Sequence, residues 1–157
     1  MPSSRSVPLY SLRPRNPPPI RKIVRGRLYG YGSNRPRSVG VKIIYFPTRR
    51  GTCPYIAVEE ILGTSLFIHD CSVKFSGGTF TIYFTRHRYQ PPNSALMSAH
   101  PGVPWHGQIL VLRMSDTGHV DLRRGDLSLI EKVASRFIAE LSRRSTLPRK
   151  LHLGPLV

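Results

Sequence analysis

His69 and Cys71, two side chains that commonly bind zinc, are two residues apart on a predicted strand and so share one of its faces. Cys53, His87 and His119 could complete a set of ligands. Structural zinc sites usually take ligands from a closely spaced pair such as C-x2–4-C, and the two cysteines of this chain are too far apart for that spacing. We therefore predict no metal site and interpret these side chains as ordinary strand and loop residues.

Nucleophilic catalysis would need Cys53 or Cys71 beside a histidine, with a carboxylate such as Asp70 or Asp116 to orient the ring. The sequence contains no nucleophile elbow, P-loop or dinucleotide fingerprint. The adjacent carboxylates Glu59–Glu60 would project in different directions from a helix. We predict a protein that is not an enzyme and carries no cofactor, and a small enzyme using the cysteine and histidine residues stays an open alternative.

Arginine dominates the polar chemistry of the chain, and its guanidinium group binds phosphate through two hydrogen bonds and stacks on bases. Lys and Arg number 24 against 8 Asp and Glu, which gives a formal net charge of +16. This balance favours nucleic acid or another polyanion as partner, and the mixture of arginine with tyrosine slightly favours RNA over DNA. We predict a basic module that contacts nucleic acid through its N-terminal arm, with phosphate contacts from Arg21, Lys22, Arg25, Arg27, Arg35, Arg37, Arg49 and Arg50.

The first fifty residues carry most of the excess charge, with twelve basic residues and no acidic one. Seven prolines between Pro2 and Pro36 prevent a continuous helix in this segment. Such a segment buries too little apolar surface to offset the cost of ordering its backbone, ~1–2 kcal/mol per residue. We therefore predict a disordered Arg/Pro-rich arm at residues 1–37, an α+β domain at residues 38–144 and a tail at residues 145–157. The apolar residues of segment 20–31 follow neither helical nor strand periodicity, so this segment is assigned at most to a weak edge strand.

Runs of β-branched and aromatic residues, broken by glycine and proline, predict the elements of the domain. In order, these are a strand at Val39–Phe46, a loop at Pro47–Pro54, a short helix at Tyr55–Leu62, a hairpin of Leu66–Phe75 and Thr79–Phe84, a long loop at Arg86–Pro104 with a helical turn at Ser94–Ala99, a central strand at Ile109–Leu112 and a short strand at His119–Leu122. In the hairpin, alternation places Val73, Phe75, Phe80, Ile82 and Phe84 inward. Tyr83 is the one aromatic clearly on the opposite face, so no stacking platform of the RNA-recognition type is predicted.

The last element is a long amphipathic helix. Ser128 and Glu131 form a predicted capping box at its start. Its apolar face is predicted from helical spacing to consist of Ile130, Val133, Ala134, Phe137, Ile138 and Leu141. We expect one mostly antiparallel sheet with the short helix and this helix packed on it. The order of elements matches that of double-stranded RNA binding domains, but the long loop and the lack of a lysine cluster before the last helix speak against membership.

Trp105 lies between the long loop and the predicted central strand. A tryptophan in this position either packs in the core or contacts a ligand, because aromatic side chains dominate both cores and interfaces. A protein partner that docks on the loop around Trp105 is therefore the alternative to nucleic acid. A chain without a defined biochemical activity is the other alternative.

The segment His100–Met114 resembles a stretch in uncharacterised proteins of mushroom-forming fungi, in which a tryptophan and a glycine precede an apolar strand that ends in arginine. That family has no assigned activity, so the resemblance implies a fungal origin and no functional residue. The chain has no apolar run long enough for a membrane span and no secretory signal, so no membrane partner is predicted. We expect an intracellular protein, nuclear or cytoplasmic, with mitochondria as an open alternative.

Overall fold

One β-sheet and three α-helices are formed by residues 17–75, 78–102, 104–143 and 150–152, the residues that this computed structural model describes. In chain order the elements are β1 (Ile20–Tyr29), β2 (Arg37–Thr48), β3 (Gly51–Ile56), α1 (Val58–Leu62), β4 (Ile68–Phe75), β5 (Gly78–Thr85), α2 (Ser94–Ala99), β6 (Ile109–Ser115), β7 (Gly118–Val120), a 3-10 turn (Arg124–Asp126), α3 (Leu127–Arg143) and β8 (Lys150–His152).

The strands lie side by side in the order β3-β2-β1-β6-β5-β4-β8, and β7 pairs with β6 outside this path. Neighbouring strands are antiparallel except β4 and β8, which run parallel. The predicted α+β class with one mostly antiparallel sheet is confirmed. Within the predicted tail at residues 145–157, the described residues form strand β8.

Helix α3 packs on one face of the sheet. Its buried side chains include all six that the helical spacing predicts. They meet side chains of β4, β5 and β6, and also Trp105, which follows the long loop. We call this cluster the first core. The prediction that the C-terminal helix packs on the sheet is confirmed, as is the inward orientation of Val73, Phe80, Ile82 and Phe84. The side chain of Phe75, also predicted to point inward, lies outside the described part of the structure.

A second core lies on the other face of the sheet, where β1, β2 and α1 meet. Its buried members are Val24, Leu28, Val41, Ile43, Val58, Leu62, Leu110 and Leu112. Strand β6 contributes to both cores, because its successive side chains alternate between the two faces. This confirms that Ile109–Leu112 is covered on both sides.

Tyr83 lies on the opposite face from its neighbours, as predicted, but it is half-buried against the second core.

Strand β1 lies between β2 and β6, so the prediction of a weak edge strand is wrong. The sequence pattern is obscured because arginines alternate with the core residues Val24 and Leu28 and because Gly26 stands between them. A Cβ atom on Gly26 would lie 2.6 Å from Leu112 Cδ2, so a larger residue here would require the Leu112 side chain to move. The folded domain thus includes residues 20–37, and the predicted boundary at residue 38 is wrong. Residues 1–16 of the predicted arm lie outside the described residues.

The predicted loop at Pro47–Pro54 is instead the hairpin of β2 and β3, with Arg49–Arg50 at its turn. Pro54 is tolerated because β3 is an outer strand of the sheet, where a missing backbone N–H breaks few ladder bonds, and Pro47 lies beyond Tyr45, the last residue of β2 that pairs with β1. Helix α1 therefore begins at Val58 rather than at Tyr55, which belongs to β3.

Local signals predict several other elements correctly. Strands β4 and β5 form the expected hairpin, whose turn residues 76–77 lie outside the described residues.

Helix α2 has the predicted bounds, and Asn93 caps it by accepting a hydrogen bond from the Leu96 backbone N–H at 2.9 Å. The Asn93 amide also donates to the backbone carbonyl oxygens of Tyr29 and Gly107, at 2.9 and 2.8 Å. One buried asparagine thus attaches the long loop to β1.

The start of α3 differs from the prediction. Ser128 lies inside the first turn of the helix and does not cap it, because α3 begins at Leu127 and follows directly on the 3-10 turn. Asp126 instead caps the 3-10 turn that precedes α3, because its carboxylate accepts a hydrogen bond from the Arg123 backbone N–H at 2.7 Å. The predicted capping box at Ser128 and Glu131 is therefore wrong.

Candidate nucleic-acid interface

Arginines project from one face of β1. The pairing with β2 runs from Ile20 to Leu28 without a bulge, so the odd-numbered residues of this stretch share the face opposite the second core. Arg21, Ile23 and Arg25 are exposed on that face, and Arg27 is half-buried. The even-numbered core residues Val24 and Leu28 thus hold β1 in place and turn its arginines outward.

Four arginines line one cavity of about 260 Å³ where β1 meets the start of α3. Arg25 and Arg27 come from β1, and Arg123 and Arg124 come from the segment between β7 and α3. Ser38 of β2 completes the polar lining. We call this cavity the arginine cleft. Because like charges repel one another, a cavity with this lining favours an anion that neutralises them.

Two hydrogen bonds to the Arg25 backbone fix the arginine cleft. The Asp121 carboxylate accepts a hydrogen bond from the Arg25 backbone N–H at 2.7 Å, and the Leu122 backbone N–H donates to the Arg25 carbonyl oxygen at 3.1 Å. These two bonds attach the segment after β7 to the side of β1 and carry Arg123 next to Arg25. The cleft therefore depends on a long-range contact and not on neighbouring sequence.

The carboxylates near the arginine cleft bind other groups and do not pair with its four guanidinium groups. Asp126 is buried and accepts from the Arg113 guanidinium at 3.0 Å, so its charge is balanced by a residue outside the cleft. Asp121 is engaged with a backbone N–H of β1. Among the described residues, none of the four guanidinium groups takes part in an ion pair or a side-chain hydrogen bond. All four are thus available to a ligand.

The residues predicted to contact phosphate do not form one site. Arg25 and Arg27 line the arginine cleft, and Arg21 shares their face of β1. Lys22 points to the other face, and its Nζ donates to the His119 carbonyl oxygen at 2.9 Å. The others lie apart from the cleft: Arg35 in the loop between β1 and β2, Arg37 at the start of β2, and Arg49 and Arg50 at the β2–β3 turn.

Arg123 and Arg124, which the sequence prediction missed, complete the arginine cleft. The available signal was an adjacent basic pair just before the C-terminal helix. A basic pair in that position is unusual, since acidic residues are favoured near the positive end of a helix dipole. An anion bound there would interact favourably with both the arginines and the helix N-terminus.

His119 lies on β7, where its carbonyl oxygen accepts the hydrogen bond from Lys22. Its side chain is buried, and its Nε2 has no hydrogen-bond partner among the described residues. Burial lowers the pKa of His119 below its ordinary value of 6.5, and the positive charge of Lys22 lowers it further. The neutral form of the imidazole is therefore favoured at neutral pH.

Two aromatic side chains are exposed on the outward face of the β2–β3 hairpin. Phe46 is 45% exposed and Tyr55 is 43% exposed. The register pairs Tyr55 with Ile44 and Ile44 with Arg21, so both aromatics share the face of the β1 arginines. The Tyr55 hydroxyl donates to the Glu59 carboxylate, which raises the pKa of this tyrosine. The prediction that Tyr83 is the one strand aromatic clearly turned outward therefore missed Phe46 and Tyr55.

A shallow cavity of about 430 Å³ lies on the same face, next to the two aromatics in the sheet. Its lining includes the apolar side chains of Ile23 and Ile44 and the basic residues Arg21 and Lys42. Lys42 also forms an exposed ion pair with Glu60, at 3.3 Å. Glu60 lines this cavity too, so apolar, basic and acidic groups meet over this part of the sheet.

The side chains considered for metal or nucleophilic chemistry are dispersed. Cys53 is exposed on β3, whereas Cys71 is buried in the first core, and both thiols are free. His69 lies against the ring of Phe84, with ring centroids 5.5 Å apart. Among the described residues, no group of three His, Cys, Asp or Glu side chains could hold a metal ion. The closely spaced His100 and His106 therefore lack a third ligand within this part of the chain. Trp105 is only 2% exposed and belongs to the first core.

None of the helices in the described part of the chain has the length and apolar character needed to cross a membrane. Comparison with known proteins finds no matching family model, no matching curated protein and no matching solved structure.

Proposed function

We propose that this protein is a non-enzymatic module that binds nucleic acid, with RNA preferred over DNA, and that the arginine cleft holds the phosphate backbone. The observation that carries the proposal is the convergence of four unpaired guanidinium groups, those of Arg25, Arg27, Arg123 and Arg124, on one cavity. Arg21 continues this positive surface along β1.

The chemistry of the arginine cleft matches that of a phosphodiester. A guanidinium group offers two parallel N–H donors to two phosphate oxygens, and the Ser38 hydroxyl can donate a further hydrogen bond. Neutralising phosphates releases counterions, so binding is expected to weaken steeply as salt rises. The proposal assigns much of the affinity to the folded domain, whereas the sequence alone assigns it to the N-terminal arm.

The proposal is tested with the full-length protein and two double variants that remove the same charge. Arg123→Gln/Arg124→Gln removes half of the arginine cleft, and Arg49→Gln/Arg50→Gln removes an equally basic pair from the β2–β3 turn. Fluorescence anisotropy measures the binding of labelled RNA and DNA, each single- and double-stranded, across a salt series.

We expect the cleft variant to bind RNA about tenfold or more weakly, and its plot of log affinity against log salt to be shallower by about two units, one per lost phosphate contact. The turn variant should lose much less affinity. Equal losses of RNA affinity in the two variants would show that the cleft contributes only through the net charge of the protein. Undetectable binding by the wild-type protein would refute the proposed function itself.

A second candidate function, a protein-interaction module, is favoured by an exposed aromatic stack at the start of the long loop. The rings of Phe67 and His87 stack at 4.5 Å, the rings of His87 and Tyr89 are 5.1 Å apart, and the Arg88 guanidinium lies 4.8 Å from the Tyr89 ring. Phe67 also has a positive φ of 59°, which is rare for a bulky residue. A partner retained after nuclease treatment and a high-salt wash, but lost with Phe67→Ala/Tyr89→Ala, would favour this function.

A further inference from the structure

The outward face of β1, β2 and β3 presents apolar and aromatic side chains that the first core does not include. We call the set of Ile23, Ile44, Phe46 and Tyr55 the stacking face. Ile23 is 67% exposed, and the two aromatic rings are exposed by nearly half. Exposed apolar patches rimmed by polar residues often mark interaction sites.

The sheet register brings the members of the stacking face within reach of one another. Tyr55 is directly opposite Ile44, and Phe46, two residues further along β2, is diagonal to Tyr55. Side chains opposite each other on one face of an antiparallel pair are about 5 Å apart, and diagonal ones are still in reach of aromatic rings. Arg21 lies opposite Ile44 on the other side, so the row ends in a guanidinium group.

The stacking face and the arginine cleft are continuous along β1. Arg21 and Arg27 stand on one face of the strand and are six residues apart, which corresponds to about 20 Å at the usual strand rise. Between them, Arg25 is opposite Gly40, which has no side chain to interrupt the surface. One extended ligand can therefore touch both regions.

We infer that the stacking face binds unpaired bases of a single-stranded RNA whose phosphates occupy the arginine cleft. The inference rests on the proposed function and specifies its substrate class. Bases stack on aromatic and apolar side chains only when they are not already stacked in a duplex, so a single strand satisfies both regions and a duplex only the cleft. Arg21 at the edge of the stacking face and the unpaired arginines of the cleft match a polyanion, whereas a second copy of this chain would bring like charges together.

Two aromatic pairs of the same residue types allow a matched test. Phe46→Ala/Tyr55→Ala removes the rings of the stacking face, and Phe67→Ala/Tyr89→Ala removes an exposed phenylalanine and tyrosine elsewhere. Affinities for a short single-stranded RNA and for its duplex are measured for both variants by anisotropy, with circular dichroism to verify folding. We expect the first variant to bind the single strand about tenfold or more weakly and the duplex unchanged. The second variant should bind both RNAs like the wild type.

A gain-of-signal variant keeps the inference testable if the alanine pair does not fold. Phe46→Trp places an exposed indole on the stacking face, while Trp105 stays buried and supplies a constant background. Single-stranded RNA should quench the added emission, and duplex RNA should not. Absence of quenching at saturating RNA would overturn the inference.

The failures of the two proposals are distinguishable. If the stacking-face pair binds single-stranded RNA as tightly as the wild type while Arg123→Gln/Arg124→Gln does not, the inference is overturned and nucleic-acid binding by the arginine cleft stands. If neither variant changes the affinity, both proposals are wrong. Equal weakening of single-stranded and duplex binding would also overturn the inference, because it would point to a loss that does not depend on unpaired bases.

Discussion

Single side chains decide which charges of this molecule are available at its surface. Asp126 could have neutralised the nearby arginines, but it is bound to the Arg113 guanidinium and to a backbone N–H. Gly26 and Gly40 act through the absence of a side chain, the first by allowing β1 to approach Leu112 and the second by leaving the outward face open beside Arg25. At this scale, the properties of the site depend on contacts between residues far apart in sequence.

Protonation of His119 should destabilise the fold at acidic pH. Its pKa in the folded protein lies below the ordinary value of 6.5 because of burial and Lys22, so the unfolded chain takes up the proton first as the pH falls. The free energy of unfolding should therefore decrease as the pH drops through about 6.5 toward the folded pKa. Urea midpoints measured between pH about 8 and about 5 test this expectation.

The informative comparison is with His119→Gln, which removes the titrating group. Its urea midpoint should depend less on pH than that of the wild type. Part of the dependence should persist, since burial also lowers the pKa of His100. An identical pH dependence in the two proteins would show that His119 does not titrate as argued.

Elements with strong local signals are predicted well, and elements formed by pairing are not. The apolar face of α3, the bounds of α2 and the β4–β5 hairpin follow from helical spacing, alternation and turn residues within the segment itself. Strand β1 has a weak period of its own and becomes a central strand only because β2 and β6 pair with it on either side. Strand β3 contains Pro54 and exists because it pairs with β2.

The start of α3 should depend strongly on Asp126. Asp126→Ala removes the acceptor for the Arg123 backbone N–H and leaves the largely buried Arg113 guanidinium without its carboxylate. Loss of a helix cap together with one partner of a buried ion pair is expected to lower the free energy of unfolding by about 2–4 kcal/mol. Urea denaturation measures this change.

Asp116→Ala is the matched control, because Asp116 is an exposed residue of the β6–β7 turn. Its effect should stay within about 0.5 kcal/mol, as for most surface substitutions. Similar losses in the two variants would contradict the role assigned to Asp126.

For the whole molecule, the position of β1 in the middle of the sheet determines what can be removed from the chain. A chain that begins at Ser38 lacks β1, so β2 loses its partner on one side and the second core loses Val24 and Leu28. We expect this chain not to fold, whereas a chain that begins at Pro17 keeps β1 and all the strands that follow it. Far-UV circular dichroism and urea unfolding of both chains test the prediction.

Cooperative unfolding of the chain that begins at Ser38, with the same dependence on urea as the full-length protein, would contradict the central role of β1. Loss of cooperative unfolding in the chain that begins at Pro17 would show that residues 1–16 contribute to stability.

The sequence alone determined the fold class, the net charge and the elements whose signals lie within a few neighbouring residues. It also identified Arg25 and Arg27 as basic residues of a phosphate-binding kind. Only the tertiary structure decided that Arg123 and Arg124 join them, and that Phe46 and Tyr55 face outward beside Arg21. The physical reason is that backbone pairing between distant strands sets which side chains share a face, and no local period encodes such pairing.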